Sequence, residues 1–129
     1  PFLFSQALLP GMVERRRGRI INLSSIGVKF GGGSSTAPYT ISKAALEALT
    51  LSLAKQGAEA GVLVNALRVG VTDTKLHEKN GAKDMKRRIE KIPMKRMACS
   101  SEIANFVHFL CSSKSSFTTG QVIAVSGGE

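Results

Sequence analysis

An α/β fold, with a parallel sheet flanked by helices, is what this sequence predicts. Two observations carry that expectation. Three short apolar runs, "GRIINLSS" (18–25), "GVLVNALRVG" (61–70) and "GQVIAVSGG" (120–128), have strand length and glycine punctuation. The segments between them are too long for hairpins and carry helical patterns, and helical crossovers between consecutive strands make a parallel sheet. Ligands in such sheets bind beyond the carboxyl ends of the strands. Those ends here are "LSS", "RVGVTDT" and "SGG".

The chain opens with "PFLFSQALLPGM", a helix already in progress. Phe2, Leu3, Gln6, Leu8, Leu9 and Met12 follow a helical pattern that Pro10 interrupts late. Such a beginning, without Met, predicts a fragment, a processed chain or an incomplete sequence. After the first strand, "VKFGGGSSTAP" (28–38) reads as a loop, because three glycines, two serines and a proline hold no regular element. A long helix rich in Ala, Leu, Lys and Glu follows, from about Ala37 to Ala60. Its apolar residues (Ala44, Ala45, Leu46, Ala48, Leu49, Leu51, Leu53, Ala54) cover more than one stripe. One side is expected to face the sheet and the other a partner subunit. Beyond the second strand, residues 71–97 are polar and basic, with one helix at about 81–91. "SSEIANFVHFL" (100–110) is an amphipathic helix carrying Ile103, Phe106, Val107 and Leu110 on one stripe. Ser100 or Ser101 is expected to cap it, with Glu102 favouring its positive end.

The length of 129 residues allows one small domain, and the composition is that of a globular chain. No apolar run approaches the roughly 18 residues a membrane span needs, and the opening stretch has no basic lead-in of a signal peptide. Cys99 and Cys111 form neither a disulfide framework nor, with any His, a metal pattern. No metal is therefore expected, and a cytoplasmic location is. The net charge of +9 is less ordinary, since such an excess attracts phosphates or nucleic acid. It is concentrated in "ERRRGR" (14–19) and "KDMKRRIEKIPMKR" (83–96). Neither cluster is interleaved with the aromatics that stack bases, so nucleic acid is not an expected partner.

The chain's only tyrosine, Tyr39, begins the long helix, and Lys43 follows one turn later on the same face. A phenol with a pKa of about 10 is a poor base at neutral pH. A neighbouring ammonium favours the phenolate, which makes the pair a proton-transfer device. Ser24 and Ser25 end the first strand, where a hydroxyl could hold a reacting oxygen. Singly, each of these residues is ordinary; their joint placement points to chemistry.

"GRIINLSSIG", "PYTISKAALEALTLSLAKQGAEAGVLVNALRVGVTDTKL" and "FTTGQVIAVSGG" resemble, in order and spacing, the carboxyl-terminal half of a short-chain dehydrogenase/reductase. The resemblance runs from residue 1 to 129. It implies a Rossmann-like sheet without its N-terminal βαβ nucleotide-binding half, NAD or NADP as cofactor, and hydride transfer between a nicotinamide and a carbonyl or alcohol substrate. By the same resemblance Tyr39 is the general acid/base. Lys43 supports Tyr39 and contacts the nicotinamide ribose, and Ser25 orients the substrate oxygen, a role from which Ser24 is more often excluded. Gly70, Val71 and Thr74 hold the nicotinamide end. Residues of about 71–97 form the substrate loop. There Lys75, Lys79, Lys83, Lys86, Arg87 and Arg88 either favour an anionic substrate or carrier or simply solvate a lid, and His77 lies beside it. His108 falls outside the site, on the surface or in packing. Assembly as a homodimer or homotetramer is also implied, through the opening helix and the Tyr39 helix.

The chain departs from the family pattern at several points. Val69-Gly70 stands for the family's Pro-Gly, and Ser126-Gly127-Gly128 for Asp-Gly-Gly. The stretch from Ser25 to Tyr39 is long because of Gly31-Gly32-Gly33. No G-x-G-x-x-G occurs, and the family's phosphate-binding turn, "NAG" segment and catalytic Asn have no counterpart in these residues. Three functions are thus compatible with the sequence: an oxidoreductase of this family, a non-catalytic fragment of it that folds as an oligomer without cofactor, and a basic nucleic-acid-binding module.

Overall fold

The computed structural model describes residues 1–75 and 82–129, with the side chains of 82 and 83 also outside the description. Among the described residues four α-helices and three strands follow in the order α1 (Phe2–Glu14), β1 (Gly18–Ser25), α2 (Ala37–Gly57), β2 (Val62–Val69), α3 (Ala82–Glu90), α4 (Ser100–Cys111) and β3 (Val122–Val125). The strands form one parallel sheet in the order β1-β2-β3. Gly18 to Ser25 lie opposite Val62 to Val69 without a bulge. The three expected strands and the expected helices are therefore present; the first strand has the expected bounds, and the second and third are trimmed to their apolar centres.

Strand alternation divides the work of the sheet. On one face Val62 and Val64 pack with Leu9 of α1 and with Leu53 and Ala54 of α2, and Met12, Val13, Ile20 and Leu49 pack around them. Val62 and Val64 are fully excluded from water, and burying each contributes about 1.5–3 kcal/mol. Nearer the carboxyl ends this face turns polar: Asn22 Nδ2 donates to Thr50 Oγ1 (2.8 Å), and Ser24 Oγ to Glu47 Oε1 (2.7 Å). Leu23, Ser25 and Val69 project to the opposite face, which Ile103 of α4 borders.

Three local expectations are corrected. Pro10 does not end the first helix, which runs on to Glu14. Pro10 and Gln6 both lie on the exposed side, so the carbonyl that the missing N–H leaves free meets water. The long helix stops at Gly57, and a tight turn over Ala58–Ala60 completes it before Gly61 takes a left-handed conformation (φ 72°). Helix α4 is capped from Cys99 rather than from Ser100 or Ser101, which are already helical. The Glu102 carboxylate accepts from Cys99 N–H at 2.7 Å and grips Arg96 with two bonds of 2.7 Å.

These contacts hold Glu102 down to a pKa of about 2, the Arg96 hydrogen bonds contributing most and the Cys99 N–H next. A carboxyl depressed in the folded chain adds stability above its ordinary value of 4.5 and loses it as pH falls toward about 2. Glu102→Gln is therefore expected to flatten the fall of the melting temperature over that acid window. A variant whose melting temperature falls as steeply as the parent's would show that the pair contributes no such linkage.

Helix α2 buries Thr40, Glu47, Thr50, Leu53, Ala54 and Gly57. Its second apolar side stays open, with Ile41 67% and Leu51 46% exposed. Among the described residues no helix is long and apolar enough to cross a membrane, and no cluster of His, Cys, Asp or Glu could hold a metal ion.

Candidate active site

The carboxyl ends of β1 and β2 open into a cleft of about 1070 Å³. Five of the six residues singled out from the sequence line it: Ser25, Tyr39, Gly70, Val71 and Thr74. The sixth, Lys43, stands behind the wall. Its ammonium lies 5.7 Å from the centroid of the Tyr39 ring and donates to Leu23 O at 2.7 Å. The i to i+4 spacing places the amine against the ring, and the carbonyl of β1 fixes its direction. Tyr39 is half exposed at the mouth of the cleft.

Ser25 arrives on the cleft side because strand residues alternate; Ser24 points to α2. Ser25 also caps the short turn Ile26–Val28, its Oγ accepting from Gly27 N–H at 3.1 Å. That bond uses a lone pair and leaves the hydroxyl proton to donate into the cleft.

The segment after β2 is tied down on several sides. Gly70 N–H donates to Val125 O, Ala98 N–H to Val71 O, and Asp73 N–H to Ala98 O, each at 2.9 Å. Ser100 Oγ of α4 donates to Asp73 O at 3.2 Å. A side chain on Gly70 would put its Cβ 2.6 Å from Ser126 Cα, so only glycine allows this close approach of the two strand ends. The Val69 that stands before it lines the cleft in place of a proline. Thr74 is exposed and donates to Thr72 O at 3.4 Å.

Cationic side chains stand at the rim. Lys29, Arg88 and Lys91 line the cleft, and Arg88 is ion-paired with Glu129. Of the basic residues noted in the polar segment, Lys75, Lys86 and Arg87 are exposed. His77 and Lys79 lie outside the described residues, as does the side chain of Lys83. His108 sits on the exposed side of α4, away from the cleft.

A group the sequence reading passed over lies directly behind the Tyr39–Lys43 turn. Glu47 is buried and receives Arg68 Nε (2.8 Å), Arg68 Nη2 (2.7 Å) and Ser24 Oγ (2.7 Å). Burial pushes its carboxyl up, but the hydrogen bonds from Arg68 and Ser24, with the Arg68 charge, outweigh that and hold it below its ordinary 4.5. The same contacts raise Arg68. One signal was available: Glu47 is the only acid of α2, and Arg68 the only charged residue of β2.

The donor set suits the nicotinamide and ribose end of a dinucleotide. Hydroxyls (Ser25, Tyr39, Thr74) and a tightly turned backbone at Gly70 and Val71 line one cleft, and the Lys43 ammonium is held against the Tyr39 ring.

A family model described as enoyl-(acyl carrier protein) reductase matches residues 1–129. The 3-oxoacyl-[acyl-carrier-protein] reductase FabG of Aquifex aeolicus is 41% identical over 127 residues, which are 98% of this chain and 51% of that protein. The crystal structure of a 3-oxoacyl-[acyl-carrier protein] reductase from Brucella melitensis superposes with a TM-score of 0.90 at 34% identity, covering 98% of this chain and 47% of the other. A second Brucella melitensis reductase structure, with bound NAD, gives 0.86 at 34% identity over 98% of this chain and 46% of that one. The chain spans about half the length of the curated relatives it matches. With a family model matched from end to end, and with Ser25, Tyr39 and Gly70 gathered at the carboxyl ends of a parallel sheet, the chain belongs to the short-chain dehydrogenase/reductase family.

Proposed function

We propose that this chain carries the reacting end of an NAD(P)-dependent oxidoreductase that reduces a 3-oxoacyl thioester to the 3-hydroxyacyl product. The observation that carries the reading is that Tyr39 and Ser25 line a single cleft, with Lys43 one helical turn beyond Tyr39 and its ammonium against the ring. The substrate class rests on the relatives, which are named as 3-oxoacyl-[acyl-carrier-protein] reductases.

A bound nicotinamide supplies the hydride that goes to the carbonyl carbon. The rest is done by this chain's own groups. Ser25 donates its free hydroxyl proton to the carbonyl oxygen and holds it beside Tyr39. Tyr39 gives its phenolic proton to that oxygen as charge builds on it, and Lys43 stabilises the negative charge left on the phenol. The half-exposed ring recovers its proton from solvent at the mouth. Gly70, Val71 and Thr74 would hold the nicotinamide end, and Lys43 would bond the ribose. Residues of about 71–97 serve as the substrate loop of a single domain spanning 1–129.

The test is a titration of the purified chain with NADH and with NADPH, followed by nicotinamide fluorescence. Saturable binding is expected. A folded chain that binds neither would overturn the reading. It would favour instead a chain that associates without cofactor through the exposed Phe2, Leu3, Phe4 and Leu8 of α1.

A further inference from the structure

We infer that Glu47, held by Arg68, is a positioning residue that sets Lys43 and Tyr39 against the end of β1 through Ser24. This rests on the assignment of Tyr39 and Lys43 as the proton-transfer pair.

Tyr39, Lys43 and Glu47 follow one another at successive turns of α2, so one helix face carries all three. Glu47 is 7% exposed, although its helix has an apolar residue at most neighbouring positions. A buried carboxylate is costly unless it is paired and its oxygens are hydrogen-bonded. Here each oxygen takes one arm of the Arg68 guanidinium, and Oε1 also takes the Ser24 hydroxyl. The fork is rigid and bidentate, and fixes direction as well as distance. It joins three elements: the middle of α2, the end of β1 and the end of β2.

The joint lies where the site needs it. Ser24 is the residue before Ser25, on the other side of the pleat. Its single hydroxyl proton goes to Glu47, with Lys43 O at 3.3 Å as the weaker acceptor of the same hydrogen. The Lys43 ammonium in turn donates to Leu23 O, one residue further back. Two consecutive strand residues, Leu23 and Ser24, therefore hold the side chain and the backbone of Lys43. Glu47 makes the second hold directional by directing the Ser24 hydroxyl. Moving Ser24 would also move Ser25, so one network sets both sides of the reacting cleft. A simple stability role would not require this geometry, because apolar side chains of similar volume fill such a place as well or better.

The experiment uses the only tyrosine in the chain. Tyrosine labelled with ¹³C in the ring gives one set of ring signals, and the Tyr39 ring lies close enough to the Lys43 side chain to give through-space cross-peaks. Three proteins are compared with the parent. Glu47→Gln removes the charge and keeps the size. Ser24→Ala removes only the tether and leaves the ion pair in place. The paired replacement Glu47→Met with Arg68→Leu removes both charges together, leaves no uncompensated ion, and serves if Glu47→Gln does not fold.

The expected result is loss of the Tyr39–Lys43 cross-peaks in the paired replacement and their weakening in Ser24→Ala, with melting temperatures close to the parent's. Turnover of an acetoacetyl thioester with NADPH or NADH is expected to fall by about 100-fold in kcat in the paired replacement, at unchanged KM, the size of effect that slight misplacement produces. Cross-peaks of parental intensity in both folded variants would overturn the inference. Absence of turnover in the parent itself would count against the oxidoreductase reading and leave the cross-peaks to decide the role of Glu47.

Discussion

Replacing Tyr39 by Phe is expected to lower NAD(P)H-dependent turnover by about 10²–10⁴-fold, the range that general acid–base groups supply. The change removes one oxygen from a half-exposed ring. The ring's contact with the Lys43 ammonium survives, because the aromatic face remains. Among the described residues no hydrogen bond uses the Tyr39 hydroxyl; the Tyr39 bond in this turn is that of its backbone carbonyl, which accepts from Ser42 Oγ at 2.7 Å. Stability and nicotinamide binding should thus stay near those of the parent while the proton donor disappears. The decisive measurement is single-turnover reduction with saturating cofactor. A Phe variant that retains turnover would remove Tyr39 from the chemistry.

The largest structural effect is expected at Asn65. This residue is fully buried in the middle of β2 and serves the backbone of a neighbouring turn. Its Nδ2 donates to Thr118 O at 2.9 Å, and its Oδ1 accepts from Gln121 N–H at 3.0 Å. The same turn is fastened on either side, by Gly120 N–H to Val64 O and Ala66 N–H to Gln121 O, both at 2.8 Å. Asn65→Leu leaves the part-buried Thr118 carbonyl and Gln121 N–H without their side-chain partner, each bond contributing about 0.5–1.5 kcal/mol. A loss of roughly 1–3 kcal/mol is expected, read from urea unfolding. The change should loosen β3 first, since Asn65 acts on the turn that feeds it. A loss below about 1 kcal/mol would mean that water takes over both groups.

The sheet was legible because its strands are short apolar runs set off by glycine, and because α2 and α4 carry strong helical patterns. Ser25, Tyr39 and Lys43 were legible for a related reason. They lie at the ends of those elements, where topology alone brings them to one edge. Glu47 and Arg68 belong to different elements, and a lone Glu in a helix reads as solvated until the strand that buries it is in place. The Cys99 cap was hidden because cysteine is a poor capping residue; the bond that matters comes from Glu102 reaching back. Pro10 misled because helix interruption is judged by the proline, whereas the outcome depended on which side of α1 faces water. The second apolar side of α2, expected from the sequence to face a partner subunit, is open in the single chain.

The register of the sheet also governs how the chain folds. Every rung between β1 and β2, from Gly18–Val62 to Ser25–Val69, joins residues separated by the whole of α2. The rungs between β2 and β3 span an even longer stretch, including α3 and α4. The entropy of closing those loops is spent before the first strand bond forms. Local helix formation in α2, on a timescale near a microsecond, brings the strand ends within reach. The sheet, and the cleft at its edge, is expected to assemble last and slowly, as in other topologies dominated by distant pairings.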